Sequence, residues 1–539
     1  MNRDFNLIDA PWILVRTKDG GVSEVGLRDA LLSSHEYVGL AGETKPQDFA
    51  VFRLMLAIMY TAFSRYDAEG NEVDEDADPL DYWKMIWDNG QIPKAPIERY
   101  LTEWHERFWL FDDEYPFYQT NAVKCKKECA TAKMIGTLFE SNNKARLFSE
   151  RRDEGRYLTY AEAARWLLHL MQFDDIAAKE PVPKKTWSGQ LSLIALIGEN
   201  LFQTLMLNYR ADYDADHDVF EEHPSWETDR RNVSFNQQIS VPDSQAALLT
   251  LQSRNLLLCA DNGMVNAYKL AGGDWFEETA VFSEQMTLWS GDQKKKTQPP
   301  EFKPKQYDSS KLIWQEFGSI SALAEEMKDS SHFVRPAGVV EWLYKLLRYR
   351  LISSDYVVKV CTAAVIYDLK QKFSLPVVDA VSDSVTFHAK LLEDISAEWR
   401  RRIISEIGKC EKAAQYVHSL YKDLQKAAGR RDKDATESQS GEKDAKQEYY
   451  ARIDRCFRLW LAELNPDNDR DTYSETLEEQ LRRIAIAYGR ELVSQVGAQT
   501  IFVSNEISAA IAISKFENCV NKLFVAEKKK EEVKEVEQT

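Results

Sequence analysis

The sequence has little of what marks fibrous, low-complexity or membrane-spanning chains. Glycine is scarce, at 22 of 539 residues, whereas tryptophan is abundant at 14. This composition excludes a collagen-like or wholly disordered chain. No run of about 18 apolar residues occurs, so no membrane helix is expected. At this length the chain can form about two to four domains with a large buried core.

Cysteine is also too sparse for a disulfide scaffold, because seven thiols are spread thinly through the chain. An odd number of dispersed cysteines favours free thiols in a reducing compartment. The first residues, Met1 to Phe5, lack the basic and apolar regions of a secretory signal. We therefore expect a cytoplasmic protein without a membrane partner.

Recognisable catalytic machinery is missing as well. The sequence contains no phosphate-binding P-loop, no Gly-x-Gly-x-x-Gly, no His-Glu-x-x-His and no Gly-x-Ser-x-Gly. Cys125 and Cys129 are four residues apart and could bind zinc, but a structural site needs four ligands and a second cysteine pair is lacking. We therefore expect neither a cofactor nor a resident metal ion.

An acidic segment keeps one enzymatic alternative open. Residues 212–218 place carboxylates at alternate positions, as an EF-hand does, but His217 stands where that loop needs glycine. His217-Asp218 also allows a metal-dependent nuclease or phosphohydrolase, although such a site needs several further ligands. A solvated acidic loop is the simpler interpretation.

The formal net charge of −18 argues against a protein whose whole surface coats nucleic acid. Nevertheless, four segments combine cations for phosphates with amides or aromatic rings for bases. Each segment alone is compatible with a solvated surface. A helical scaffold protein without a nucleic-acid role is a further alternative for the whole chain. Together the four segments favour a focused nucleic-acid site. These candidates are Asn142, Asn143, Lys144, Arg146 and Phe148; Lys184, Lys185, Trp187, Ser188 and Gly189; Lys294, Lys295 and Lys296; and Lys345, Arg348 and Arg350.

The apolar periodicity predicts an α+β protein with a large, mostly helical N-terminal domain and short β-sheets. This domain should cover residues 1–380, with a helix at 46–65 and another apolar helix at 190–208. Residues 381–528 show the 3- and 4-residue spacing of a four-helix bundle. The charged segment 429–446 is predicted to be a linker within the bundle, and residues 529–539 a disordered tail.

Several blocks, in order, resemble one protein family. Asn6-Leu7-Ile8-Asp9-x-Pro11-Trp12-Ile13-x-Val15-Arg16 resembles the N-terminal signature of the large subunit, CasA, of the type I-E CRISPR surveillance complex Cascade. The terminal bundle fits the same family. Further matching blocks are Tyr115–Thr120, Ala161–Leu170, Trp187–Leu191, Leu205–Asn208, Pro224–Trp226 and Met286–Trp289.

The resemblance implies a non-catalytic subunit without a cofactor. Members of this family recognise a protospacer-adjacent motif in duplex DNA, help to open the duplex for R-loop formation and recruit the helicase-nuclease. The implied partners are the small subunit, the backbone subunits, the 5′ handle of the guide RNA, the target double-stranded DNA and the helicase-nuclease.

The resemblance also assigns roles to the candidate residues. The guide-handle loop matches residues 138–148. The motif-reading loop falls at 178–189, where this chain has lysines and Gly189 instead of a run of glycines. The DNA-opening wedge falls at Gly338, Glu341 and Trp342, although Trp342 would equally suit the apolar face of a helix.

Overall fold

A computed structural model gives the α+β architecture of the chain. It describes residues 3–74, 76–123, 128–135, 157–174, 185–212, 221–230, 233–234, 236–293, 299–321, 332–367, 377–429, 435–496 and 507–524. The predicted fold class is confirmed: helices predominate, small sheets lie before residue 389, and long helices follow.

The chain divides into two compact units. The first comprises Met1–Asp308, Ala322–Leu351 and Lys359–Ser384, and the second comprises Ser309–Ser321, Ile352–Val358 and Val385–Thr539. The second unit also includes two earlier segments, and in one of them Trp314 stacks on Phe457 with ring centroids 4.2 Å apart.

The strands pair antiparallel in β1–β5, β2–β3, β2–β4, β6–β9, β8–β9, β10–β11, β10–β12 and β7–β13. The strand orders of the sheets are β1-β5, β3-β2-β4, β6-β9-β8, β11-β10-β12 and β14-β13-β7. The strands are β1 (Asp4–Asn6), β2 (Ile13–Thr17), β3 (Val22–Val25), β4 (Tyr37–Leu40), β5 (Trp109–Phe111), β6 (Cys129–Ala130), β7 (Leu193–Ile197), β8 (Arg254–Asp261), β9 (Met264–Gly272), β10 (Trp289–Asp292), β11 (Glu301–Pro304), β12 (His332–Arg335), β13 (Val357–Tyr367) and β14 (Val377–His388).

The helices follow the apolar periodicity of the sequence. Those of the first unit are α1 (Leu27–Leu32), α2 (Lys45–Arg65), α3 (Pro79–Asn89), α4 (Lys94–Glu103), α5 (Tyr160–Phe173), α6 (Leu201–Asn208), α7 (Gln245–Leu249) and α9 (Gly338–Arg348). Those of the second unit are α8 (Phe317–Ser321), α10 (Ala397–Ala427), α11 (Ala435–Glu463), α12 (Arg470–Ser494) and α13 (Ala509–Leu523).

Helix α2 is the central element of the first unit. Thr44 caps its N-terminus, because the Thr44 side chain accepts a hydrogen bond from the backbone N–H of Gln47. The helix contacts α4, α5, α6 and α7, and all of its residues from Pro46 to Phe63 are buried. The predicted helix at 46–65 is therefore confirmed, and it is a core helix without a solvent face.

The single apolar helix predicted at 190–208 is wrong. Residues 193–197 form β7, which pairs with β13, and α6 begins only after Asn200. The side chain of Asn200 caps α6 by accepting a hydrogen bond from the backbone N–H of Gln203. Periodicity alone does not distinguish a short apolar strand from a buried helical turn, so the sequence predicts one helix where the chain forms a strand and a helix.

Four helices, α10 to α13, pack against one another in the second unit. The linker predicted at 429–446 is shorter than expected, because α11 already begins at Ala435. The alanine, glutamate, glutamine and lysine residues of 435–446 favour a helix, although a segment with so many charged residues is also typical of a linker. The predicted tail at 529–539 lies outside the described residues. Among the helices described, none is long and apolar enough to cross a membrane.

Candidate nucleic-acid interface

Part of the predicted interface lies outside the described residues. This holds for the guide-handle candidates Asn142, Asn143, Lys144, Arg146 and Phe148, and for Lys184, Lys294, Lys295 and Lys296. His217 and Asp218 of the enzymatic alternative, and Cys125, also lie outside. In the described ranges no group of three or more His, Cys, Asp and Glu residues is placed to hold a metal ion.

Trp187 belongs to a buried polar cluster. Its Nε1 donates a hydrogen bond to Glu284 Oε2 at 3.0 Å, and both oxygens of Glu284 pair with the Arg53 guanidinium at 3.0 Å. The side chains of Arg53 and Glu284 are each only 1% exposed. The buried charges thus neutralise each other, and the indole fixes the carboxylate in place.

Ser188 and Gly189 are buried in the same turn. The Ser188 hydroxyl lies 3.3 Å from Gln172 Oε1, and the Gly189 N–H donates to Thr186 Oγ1 at 3.3 Å. A Cβ atom on Gly189 would lie 2.2 Å from Tyr367 Oη. This corrects the role given to Trp187, Ser188 and Gly189: glycine is needed for close packing inside the protein, and the three residues offer no surface to DNA in this conformation.

Lys185 is the predicted motif-binding residue that keeps a partly exposed side chain in the described region. Its Nζ lies 5.3 Å from the ring centroid of Tyr367, and burial lowers the pKa of this amine. Tyr367 Oη donates to the Asp174 carbonyl at 3.2 Å, and Asp174 Oδ2 accepts from Arg254 Nε at 2.6 Å. Asp174 and Lys185, the residues on either side of 175–184, therefore both contact Tyr367.

The predicted wedge residues lie on α9, where Trp342 belongs to the core. Trp342 is 0% exposed, and its ring meets Trp83 edge-on at 6.0 Å. A Cβ atom on Gly338 would lie 2.0 Å from Gln285 Oε1, so a side chain at this position would force Gln285 to move. Glu341 is half-buried and pairs with Arg335 at 3.3 Å. Trp342 therefore lies on the buried apolar face of α9, which was the alternative to a role as a wedge.

The basic edge of α9 divides into two parts. Lys345 Nζ lies 2.6 Å from Asp212 Oδ2, and Asp212 also accepts a hydrogen bond from Arg210 at 3.0 Å. Arg348 and Arg350 are exposed, by contrast. Tyr349 lies between them and is 55% exposed. The sequence did not indicate it as a candidate, because a tyrosine at the end of an apolar helix resembles a core residue.

Basic residues of the bundle mostly satisfy partners within the bundle. Buried Arg400 donates to the carbonyls of Leu391 and Glu393 at 2.8 and 2.6 Å. Arg482 and Arg483 both bind Glu479, and these hydrogen bonds lower the pKa of that carboxyl to about 2. These cations therefore already have partners within the second unit.

Comparison with known proteins agrees with this architecture. A family model described as CRISPR-associated protein Cse1 matches residues 6–488. The chain belongs to the Cse1 family. The sequence-based resemblance to the large subunit of type I-E Cascade is thereby confirmed.

Individual Cse1 proteins show how far the similarity extends. The chain is 34% identical over 213 residues to the CasA/Cse1 protein of Thermus thermophilus, a match that spans 38% of this chain and only 39% of that relative. The crystal structure of Thermobifida fusca Cse1 superposes with a TM-score of 0.82 at 25% identity, covering 96% of this chain and 98% of that one. A chain of a CRISPR RNA-guided surveillance complex has the same fold, with a TM-score of 0.72 at 15% identity, covering 97% of this chain and 100% of that chain.

Proposed function

We propose that this Cse1 family member is a non-catalytic subunit of an RNA-guided surveillance complex. In this role it recognises a short motif in duplex DNA, helps to open the duplex and recruits a helicase-nuclease. The observation that carries the proposal is the agreement of fold and family over almost the whole chain. The fold shared with a chain of a surveillance complex supports guide RNA and the other Cascade subunits as partners.

The charge distribution supports a division of labour between protein and guide RNA. Cations at a few positions bind phosphates and fix the register on the duplex without reading sequence. Contacts in the minor groove give a degenerate readout, which is sufficient for a motif of a few base pairs. Base pairing with the guide then reads the long target sequence.

Lys185 is the described residue that best fits a phosphate contact near the motif. Its amine is partly exposed beside Tyr367, next to the segment that the family resemblance assigns to motif reading. The buried cluster of Arg53, Glu284 and Trp187 holds the turn that follows it. We therefore propose that Lys185 contacts DNA, whereas Trp187, Ser188 and Gly189 support its position.

Omission of this chain from the reconstituted complex tests the proposal. A complex with guide RNA but without this chain should bind target duplex much more weakly than the complete complex, and adding the chain back should restore binding. Equal affinity with and without the chain would contradict the proposal. Cleavage of labelled DNA by the purified chain in the presence of manganese would instead favour the nuclease alternative.

A further inference from the structure

The C-terminus of α9 has a backbone arrangement that normally requires glycine. The Arg350 N–H donates to the Leu347 carbonyl at 2.9 Å, and the Leu351 N–H donates to the Leu346 carbonyl at 2.8 Å. This pair of hydrogen bonds defines a Schellman motif, in which the residue after the helix cap adopts a left-handed conformation. That residue is Arg350, with φ of 56°.

A left-handed backbone disfavours arginine, because its Cβ crowds the neighbouring carbonyl oxygen, whereas glycine has no such penalty. Left-handed residues other than glycine concentrate at functional sites. The unfavourable backbone conformation at Arg350 is thus a cost to folding that glycine would remove. Arginine at this position nevertheless supplies a guanidinium group, which glycine would not.

The surroundings of Arg350 provide a second, independent observation. Arg348, Tyr349 and Arg350 are consecutive and all exposed, and neither arginine has an ion-pair partner among the residues that the structure describes. Lys345, one turn earlier, is by contrast bound to Asp212. The end of α9 therefore presents an exposed aromatic ring between two arginines that form no ion pair with any described residue.

We propose that Arg348, Tyr349 and Arg350 form a binding site for an unpaired nucleotide strand. The tyrosine ring stacks on a base, and the two guanidinium groups bind the adjacent phosphates. A single strand fits better than an intact duplex, because stacking on a side chain requires a base face that is not already stacked. This site rests on the proposed function, since opening a duplex produces such a strand.

A purely structural role makes different predictions for the same residues. Cations in the last turn of a helix interact favourably with the helix dipole, and Arg348 is placed for this. Such a role does not explain an arginine in the left-handed position, where glycine would be more stable. Stability and nucleic-acid affinity should therefore respond in opposite directions when Arg350 is replaced by glycine.

The test uses the full-length chain with labelled single-stranded DNA, single-stranded RNA and duplex DNA of one sequence. Tyr349→Ala should weaken single-strand binding by about fivefold or more, whereas Tyr349→Phe should bind like the unmodified chain. Arg348→Gln and Arg350→Gly should each reduce the slope of log affinity against log salt concentration by about 0.7. Lys94→Gln, which removes an exposed positive charge from α4, serves as the matched control and should leave Tyr349-dependent binding unchanged.

Arg350→Gly should also raise the melting temperature while it weakens binding. The proposal is overturned if this variant melts earlier, or if Tyr349→Ala and Arg350→Gly bind single strands as tightly as the unmodified chain. The RNA and DNA arms show which strand is preferred. Failure here is distinguishable from failure of the proposed function: a reconstituted complex that needs this chain for target binding but tolerates both substitutions would refute only the strand site.

Discussion

At the scale of single residues, the block from Thr186 to Gln190 shows how packing can resemble a binding motif. Tryptophan, serine and glycine beside two lysines are typical of nucleic-acid contacts, and the sequence indicated them for that reason. In the structure Trp187 instead binds Glu284, whose charge compensates Arg53 on α2. The residue types predicted a functional role for the block. Whether these side chains contact DNA or pack in the core depends on their burial, which is set by distant parts of the chain.

Replacing Glu284 with glutamine tests the importance of this buried cluster. The substitution leaves the Arg53 charge buried without its counterion, so we expect a loss of about 3–5 kcal/mol in the free energy of unfolding. Denaturant unfolding followed by tryptophan fluorescence measures it. Glu36→Gln is the matched control, because its pair with Lys18 is exposed to solvent and should contribute little to stability. A similar effect of the two substitutions would contradict the role of the cluster.

Gly189 provides a test of close packing. A Cβ atom at this position would collide with Tyr367 Oη, so Gly189→Ala should destabilise the protein by about 1–3 kcal/mol. Adding Tyr367→Phe removes the colliding oxygen and should recover part of the loss. Additive effects of the two substitutions in thermal unfolding would show that the contact is not the cause.

At the scale of secondary-structure elements, long helices with a strong apolar stripe were predicted well, and short or charged segments were not. Helix α2 lies where its periodicity predicts it, whereas residues 193–197 pair as a strand and residues 435–446 are helical. The apolar residues of β7 are compatible with either element, and its pairing with β13 is a contact over more than 150 residues. Such pairing has no local signal.

Helix α10 contains a buried carboxyl group, that of Glu406, whose charge state depends on pH. Glu406 is fully buried, lies 2.9 Å from Lys409 and 3.1 Å from Arg402, and faces Glu478 across the shared Lys409. Burial raises the pKa of Glu406 to about 7, from an ordinary value of 4.5. The folded state therefore binds this proton more tightly than the unfolded state does.

The sign of the pH effect follows from that difference. Protonation of Glu406 should stabilise the bundle as pH falls from about 7 towards 4.5, and this contribution is lost as pH rises through about 7. Glu406→Gln should flatten the pH dependence of the melting temperature over this interval. Identical profiles for the substituted and unmodified chains would show that another group governs the effect.

At the scale of the whole molecule, the family and fold class could be predicted from the order and spacing of the sequence blocks, while most contacts of the candidate interface could not. The blocks are spread along the chain, so their combined pattern is specific even where each one is weak. Whether Trp342 or Tyr349 faces solvent, by contrast, depends on how α9 packs against the rest of the first unit. The net charge of −18 now has a clearer meaning, because the cations proposed to bind nucleic acid are few and local.

We propose that this chain recognises a DNA motif and opens the duplex beside it. The most direct measurement places a fluorescent base analogue next to the motif and follows its unstacking when complete complex is added. We predict rapid unstacking that requires both this chain and the correct motif. Equal unstacking by a complex without the chain, or on a duplex with a scrambled motif, would contradict a role of this chain in motif recognition and duplex opening.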